Sequence, residues 1–492
     1  MVYNTNMKIQ TIEINGNVWK KFKGDEGQDV YVAEFIKKDE SVLGNFLDES
    51  FYDILVDSDA DFYLPSNDIW DKDSLTEDRV AFKFRKNVFT EEEQKGAYEG
   101  LYDAAVVSDN RGYAAGNGHE NSLRDYVSPY ETEVIKYFED GQPKSLDGSD
   151  VLDSIRKKHE SGDIDSSKAR YMTWIGYRIA RDFGDPDNKD RLMRNRYVGF
   201  FDNKLIPLLK SMDVQEAKKY IEEFKKEYIS VTVYANPIWS GIAGYYGRYP
   251  RIPYGRAVAY TEKNMEKFAK SFPFARKLNS EFKRWMPVRW GVQNGYASQM
   301  DEKFLIGEDT VFTTITVNTT SADRNARMAC HRDAGSLNDG FSNLAVITKE
   351  GKNWKGGYLV APEVRAAINV RPGDLLLVDN MRIIHGNTPI ESPDSGEQDF
   401  LRMSIVFYFR EDMKVLGSWE YEKTRRQFVD DRRLNPNHPL WRESWNGVSP
   451  NMWYEQEWYD YLTEKMGSDI LEKYHPEALK EKSKTLEGFF GL

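Results

Sequence analysis

Apolar positions follow two rhythms along this chain, one of period two and one helical. Near the start, Ile9-Gln-Thr-Ile-Glu-Ile14 alternates apolar and polar side chains and runs into Asn15-Gly16, which predicts a β-hairpin. Asp213 to Tyr228 sets Ala217, Tyr220, Ile221, Phe224 and Tyr228 on one face behind an Asp cap, which predicts an amphipathic helix. A strand is expected at Ala257 to Tyr260. Thr261 to Phe272 is then expected to be a helix, with Met265, Phe268, Ala269 and Phe272 on one face and Pro273 ending it. Further on, Arg371-Pro-Gly-Asp374 suits a type II turn, and Leu375 to Val378 reads as a buried strand. Leu401 to Phe409 is a second apolar run of strand character, and beyond Arg410 the chain turns helical, basic and aromatic.

Composition narrows the class. The 492 residues allow two or three domains, and an aromatic content of 14% argues against extended disorder. A single cysteine, Cys330, excludes an intrachain disulfide and a CxxC zinc site and suits a reducing cytoplasm, the expected location. There is no signal-peptide pattern and no run of about 18 apolar residues, so membrane insertion is not expected. The net charge of −12 is unevenly spread: residues 1–165 hold 19 basic and 36 acidic side chains, leaving +5 for the remainder. Three domains are expected: an acidic one at 1–165 that faces away from a polyanion or contacts a protein partner, a core at 166–410, and a helical extension at 411–492.

The candidate chemistry lies between Val311 and Arg410. His331 and Asp333 are two residues apart, so on a strand both face one cavity while Arg332 faces away. With His385 they supply two imidazoles and one carboxylate, the facial triad of a non-haem Fe(II) site, although zinc also fits these donors. Seventeen residues after His385, Arg402 and Ser404 share one strand side and can grip a distal carboxylate. Asp379 reads either as a carboxylate backing a ligand histidine or as a turn residue. Asn318 and Asn387 read either as capping residues or as contacts to substrate or cosubstrate. Cys330 should point to the opposite side of its strand and pack.

Outside that core the signals are weaker. Gly112 to Gly118 reads as a surface turn, since no Lys-Ser/Thr follows to make a phosphate cradle. His119 and His159 read as exposed polar residues, Asp57 to Asp61 as an acidic loop, and Gly184 to Asn188 as a loop. Trp239 to Arg248 and Ile252 to Arg256 mix glycines, tyrosines and arginines, which suits either a turn at a sheet edge or a nucleic-acid surface. Lys423-Thr-Arg-Arg426 and Asp431-Arg-Arg433 form a basic candidate for nucleic acid. Trp441, Trp445, Trp453 and Trp458 are expected to fill gaps in a helical pack.

Phe312-Thr-Thr-Ile-Thr-Val-Asn318, Ala329-Cys-His-Arg-Asp-Ala-Gly335, Gly340-Phe-Ser, Trp354-Lys-Gly-Gly357 and His385-Gly-Asn-Thr-Pro389 together resemble the oxygenase core of the TET/JBP family. The resemblance covers roughly residues 230 to 410, and is nearest to bacterial and phage members and to the thymine-oxidising branch. It implies an α+β fold: a double-stranded β-helix, jelly-roll and cupin-like, wrapped by helices. It implies Fe(II) held by His331, Asp333 and His385, 2-oxoglutarate held by Arg402 with Ser404, dioxygen as oxidant and ascorbate as reductant. The implied reaction is oxidation of the 5-methyl group of thymine or 5-methylcytosine in DNA, to the hydroxymethyl base and further products. Tyr408 would stack on a flipped base, with Ser336, Asn318, Asn387 and Arg256 as further substrate contacts. Two other functions are weighed against this: a hydroxylase of a free metabolite or protein side chain, and an inactive nucleic-acid-binding module.

Overall fold

Asn15 and Gly16 both take positive φ, 53° and 73°, and close the expected hairpin: β1 (Gln10–Ile14) pairs antiparallel with β2 (Asn17–Lys23). The structure, a computed structural model, describes residues 8–65, 75–108, 111–116, 120–121, 161, 233–234, 238–248, 252–307, 309–349, 352–393, 400–434, 455–476 and 478. It divides into two units, one of residues 1–119, 234–247 and 256–415 and one of residues 120–233, 248–255 and 416–492.

The first unit continues with β3 (Asp29–Ala33), β4 (Ile54–Val56), β5 (Ala60–Tyr63), β6 (Val80–Arg85), β7 (Val106–Ser108), β8 (Ile238–Tyr246) and β9 (Arg256–Ala257). It is completed by β10 (Thr314–Ser321), β11 (Ser342–Ile347), β12 (Leu359–Ala361), β13 (Ala366–Ile368), β14 (Leu375–Val378), β15 (Gly386–Asn387) and β16 (Leu401–Tyr408). A large sheet runs β1-β2-β3-β5-β6-β14-β11-β16-β10-β8-β9, with β7 also on β8; a small one runs β15-β12-β13-β4. Leu344, Val346, Leu376, Val378 and Val406 of the large sheet share one apolar cluster with Leu359, Ala361, Ala366 and Ile368 of the small one. The two sheets therefore face each other, as the jelly-roll expectation requires.

The other face of the large sheet is covered by α1 (Glu91–Leu101) and α2 (Phe272–Trp285), with Phe274 stacked 4.0 Å from Phe89 and 6.0 Å from Phe407. Here the chain departs from expectation. Two five-residue helices, Ala259–Lys263 and Met265–Ala269, replace the single helix, and Pro273 sits in the first turn of α2 instead of ending its predecessor. Proline loses nothing there, because a first-turn N–H has no intrahelical partner. Of the strand expected at Ala257 to Tyr260 only the start is extended, as β9.

Trp239 to Tyr246 proves to be internal strand. A Cβ on Gly241 would lie 1.7 Å from the Ala104 carbonyl oxygen, and one on Gly244 2.4 Å from that of Thr313. These glycines permit close backbone approach and do not mark a turn. The region 1–165 also differs from the separate domain expected. β6 pairs with β14, β4 with β13 and β7 with β8, so strands before residue 109 help build both sheets. The acidic loop expected at Asp57–Asp61 ends inside β5.

In the second unit, α3 (Trp419–Leu434), α4 (Glu455–Met466) and Asp469–Tyr474 bury Tyr421, Phe428, Trp458, Leu462 and Leu471 together. Trp458 is thus a packing residue, as expected. The buried Glu422 pairs with Arg248 and accepts from the Gly255 and Gly417 N–H groups, while Arg425 donates to the Pro253 carbonyl. Two of the arginines read as nucleic-acid candidates are therefore tied to protein groups, Arg425 here and Arg426 at 3.6 Å from Asp430. His119, His159, Trp441, Trp445, Trp453, the helix at 213–228 and the loop at 184–188 lie outside the described residues.

Candidate metal centre

His331 and His385 exchange two backbone hydrogen bonds, each 2.9 Å, in an isolated antiparallel bridge. No strand continues through Asp333, yet the alternation read from the sequence survives. Arg332 points away, to Glu40 at 2.6 Å and Glu363 at 3.1 Å, while the carboxylate of Asp333 turns back towards the histidines. Asp333 Oδ1 lies 3.3 Å from His331 Nε2 and 3.9 Å from His385 Nε2. Among the described residues these three side chains form a group able to hold a metal ion, with one donor atom from each within 4.8 Å of the others.

Hydrogen bonds behind the ligands fix which atoms face inwards. His331 Nδ1 donates to the Ala329 carbonyl at 2.8 Å and His385 Nδ1 to that of Ile383 at 3.0 Å. Each Nε2 therefore faces inwards, towards the Asp333 carboxylate, where it can meet a metal. Asn380 Nδ2 donates to Asp333 Oδ2 at 3.0 Å, and the Asp333 N–H donates to the Asn380 carbonyl at 2.9 Å, which leaves Oδ1 to point at the imidazoles. Asp379, for which two roles stood open, is the turn residue: its carbonyl accepts from Arg382 and Ile383 and its carboxylate pairs with Arg382 at 3.5 Å.

Burial alone would push the Asp333 carboxyl up, but the hydrogen bond from His331, the charges of both imidazoles and the Asn380 amide hold it at about 2. Burial, then the charge of His331, pushes the His385 imidazole down to about 4 against the pull of Asp333. Near neutral pH Asp333 is thus a carboxylate and His385 a neutral imidazole, forms that bind a divalent cation. The Asp333 side chain is 29% exposed against 7% for His385, so the centre opens on the aspartate side.

A second feature lies on the inner face of β16. Arg402 is 3% exposed, its Nε has no hydrogen-bond partner, and among the described residues no carboxylate pairs with it. Burial, then the neighbouring Arg371 guanidinium, lowers its pKa to about 10. Trp354, whose ring centroid is 6.0 Å from the Arg402 guanidinium, is also buried with an unpartnered Nε1. Two buried donors without acceptors are costly unless a ligand supplies oxygens. Gly357, at φ 68°, makes room for this guanidinium, since a Cβ there would lie 3.1 Å from Arg402 Nε. Ser404 Oγ accepts from Asn318 Nδ2 at 3.4 Å, and Asn318 Oδ1 accepts from Ser240 at 2.6 Å. Asn318 therefore orients Ser404.

The remaining candidates are placed as follows. Tyr408 lies on the same strand face as Arg402 but is 8% exposed and belongs to the inter-sheet cluster. Ser336 is buried and its backbone bridges Arg410. Asn387 Nδ2 donates to the Tyr358 carbonyl at 3.4 Å. The Arg256 guanidinium lies 5.5 Å from the Tyr246 ring. Cys330 packs with Leu47, Val360, Ala367 and Ile384, and burial pushes its thiol up to about 12. Sequence reasoning gave no role to Asn380, Trp354 or Arg111. Trp354 stood in a quoted segment, but nothing in the local text marks the other two.

A family model, Tet_JBP, the oxygenase domain of the 2OGFeDO superfamily, matches residues 242–411. The bifunctional helicase and thymine dioxygenase JBP2 of Leishmania major is 28% identical over 326 residues, 62% of this chain and 27% of that protein. Thymine dioxygenase JBP1 of Crithidia fasciculata is 28% identical over 200 residues, 40% and 23% of the two chains. This chain thus spans about a quarter of the length of the curated relatives it matches. Among solved structures, NgTET1 in complex with 5mC DNA matches with a TM-score of 0.31 and 14% identity, over 43% of this chain and 76% of that one.

Proposed function

We propose that the chain is an Fe(II)- and 2-oxoglutarate-dependent dioxygenase that oxidises the 5-methyl group of pyrimidines in DNA, a reading that starts from the match of residues 242–411 to the Tet_JBP oxygenase-domain model. The observation that carries this reading is the convergence of His331 Nε2, Asp333 Oδ1 and His385 Nε2 on one point, each held from behind by a hydrogen bond to its other heteroatom. Two nitrogens and one carboxylate oxygen suit Fe(II) and leave the remaining coordination positions to cosubstrate and dioxygen. When bound, Fe(II) and 2-oxoglutarate supply the oxidising chemistry that hydroxylates a methyl group.

The protein's own residues hold and orient. Arg402, buried and without a carboxylate partner among the described residues, would receive the distal carboxylate of 2-oxoglutarate, with Ser404 Oγ beside it and Trp354 Nε1 as a further donor. A methyl group stacked inside a duplex cannot reach a centre whose ligands are largely buried, so the nucleotide is extruded or presented single-stranded. The relatives named as thymine dioxygenases support a 5-methylpyrimidine base as the group oxidised, and the helicase named with one of them supports a nucleic-acid strand as its carrier; thymine and 5-methylcytosine both fit the reading.

Nucleoside mass spectrometry tests this directly. Thymine- and 5-methylcytosine-containing DNA are each incubated with protein, Fe(II), ascorbate and 2-oxoglutarate, with Asp333→Ala as control. Hydroxymethyluracil or hydroxymethylcytosine formed by the wild type alone supports the reading and identifies the base. Succinate release with no oxidised base from duplex or single strands would transfer the site to a metabolite or protein substrate.

A further inference from the structure

One guanidinium near the metal centre is not used by anything above. Arg111 stands immediately before the 3₁₀ turn Gly112–Ala115, which the sequence suggested was a surface turn. Gly112 and Tyr113 are exposed, as a surface turn requires, while Ala114 and Ala115 pack against Ile238, Ala326 and Met328. The Ala114 carbonyl accepts from the N–H of Ala329, two residues before His331. The segment is thus fastened to the metal-ligand loop, and Arg111 is carried with it.

Its side chain lies in the electrostatic neighbourhood of Asp333, Tyr246, Tyr408 and Arg410. Arg111 Nε is buried without a hydrogen-bond partner, and among the described residues no carboxylate pairs with this guanidinium. Its neighbour is satisfied differently. Arg410 Nε is 3.1 Å from both carboxylate oxygens of Asp412, and its guanidinium lies 4.3 Å from the Tyr246 ring. Arg256 approaches the same ring at 5.5 Å. Asp412 answers Arg410, and Asp333 faces the two histidines. A guanidinium whose Nε is buried without a partner is costly, so among the described residues this corner is short of an anion.

That anion is not the one Arg402 receives. Arg402 and Tyr408 are six residues apart on β16, which is roughly 20 Å along an extended strand. Arg111 belongs to the Tyr408 end.

We propose that Arg111 is a phosphodiester-binding residue of this site: its guanidinium takes one backbone phosphate of the substrate strand beside the metal centre, with Tyr246 and Arg410 as neighbours. The inference rests on the DNA reading above and adds to it an anchor from outside the matched oxygenase segment. Arg111 is a positioning residue, fixing the strand so that the target methyl group meets the metal.

The test is equilibrium binding of a fluorescent thymine-containing oligonucleotide across a salt series, using the Fe(II)-loaded full chain, Arg111→Ala and Arg111→Lys. Thermal midpoints confirm that each variant is folded. Arg111→Ala should lose roughly tenfold in affinity, with the slope of log affinity against log salt shallower by about 0.7–0.9. Arg111→Lys should recover most of both, because a point charge suffices for a phosphate. Uncharged methylphosphonate linkages flanking the target pyrimidine should abolish the difference between wild type and Arg111→Ala. An unchanged salt slope, or an equal loss on the methylphosphonate strand, overturns the proposal; the second result would assign Arg111 to a base edge. Wild-type oxidation of DNA with unaltered binding by Arg111→Ala overturns it while leaving the dioxygenase reading intact. Wild-type protein that neither binds nor oxidises DNA overturns both.

Discussion

Asn380 shows how a residue with no local signal governs one that has a strong signal. Its amide and carbonyl both bond to Asp333, so it selects which carboxylate oxygen faces the histidines. Asn380→Ala should lower metal affinity about 10–100-fold while leaving the fold cooperative, as read by calorimetric titration of a divalent ion. His385 gives the pH counterpart. Its folded pKa of about 4 lies below the ordinary 6.5, so in that interval the unfolded chain takes up a proton that the folded chain refuses. The metal-free protein should therefore lose stability as pH falls from about 6.5 to about 4, by no more than about 3 kcal/mol, and regain it as pH rises. Thermal midpoints in chelator read this, and His385→Gln should flatten the profile. A midpoint just as steep in the variant would place the titration elsewhere.

At the scale of elements, the turns around Arg402 matter as much as the strand that carries it. Gly356 and Gly357 sit at φ 65° and 68°, and a Cβ on Gly356 would lie 2.1 Å from the Pro389 carbonyl oxygen. Arg371 pins the same segment, donating to the Trp354 and Gly356 carbonyls at 3.1 and 3.3 Å. Gly357→Ala should cost about 1–3 kcal/mol through the left-handed backbone alone and displace Arg402. The expected outcome is a several-fold higher 2-oxoglutarate requirement in a succinate assay with metal affinity unchanged. Arg402→Ala should raise that requirement further. The turn at Arg371–Asp374 was legible from Pro-Gly, and Gly373 at φ 88° bears it out. The helix boundary at Pro273 was not, because proline is equally at home just after one helix and in the first turn of the next.

For the molecule as a whole, the descent of both sheets into the first hundred residues carries the consequence. β6 lies against β14 and β4 against β13, burying Phe82, Phe84, Ile54 and Val56 in the inter-sheet cluster. A chain beginning at residue 166, the boundary that charge suggested, would expose two sheet edges and much of that core. It should give no cooperative thermal transition and should bind a hydrophobic dye. A soluble, cooperatively unfolding fragment would show instead that the core is complete without these strands.

The sequence by itself determined what depends on neighbours along the chain. The Asn-Gly hairpin, the Pro-Gly turn, the apolar runs of β14 and β16, and the spacing of His331, Asp333, His385, Arg402 and Ser404 all follow from backbone preference and side-chain period. Tertiary structure alone decided which side chains meet across distance. Ala104 against Gly241, Asn380 behind Asp333, and Arg111 beside a centre more than two hundred residues away leave no periodic trace. Net charge misplaced the strands before residue 109 for the same reason. Charge counts the solvated faces of strands, whereas membership of a sheet is set by the few buried alternate positions that the other strands cover.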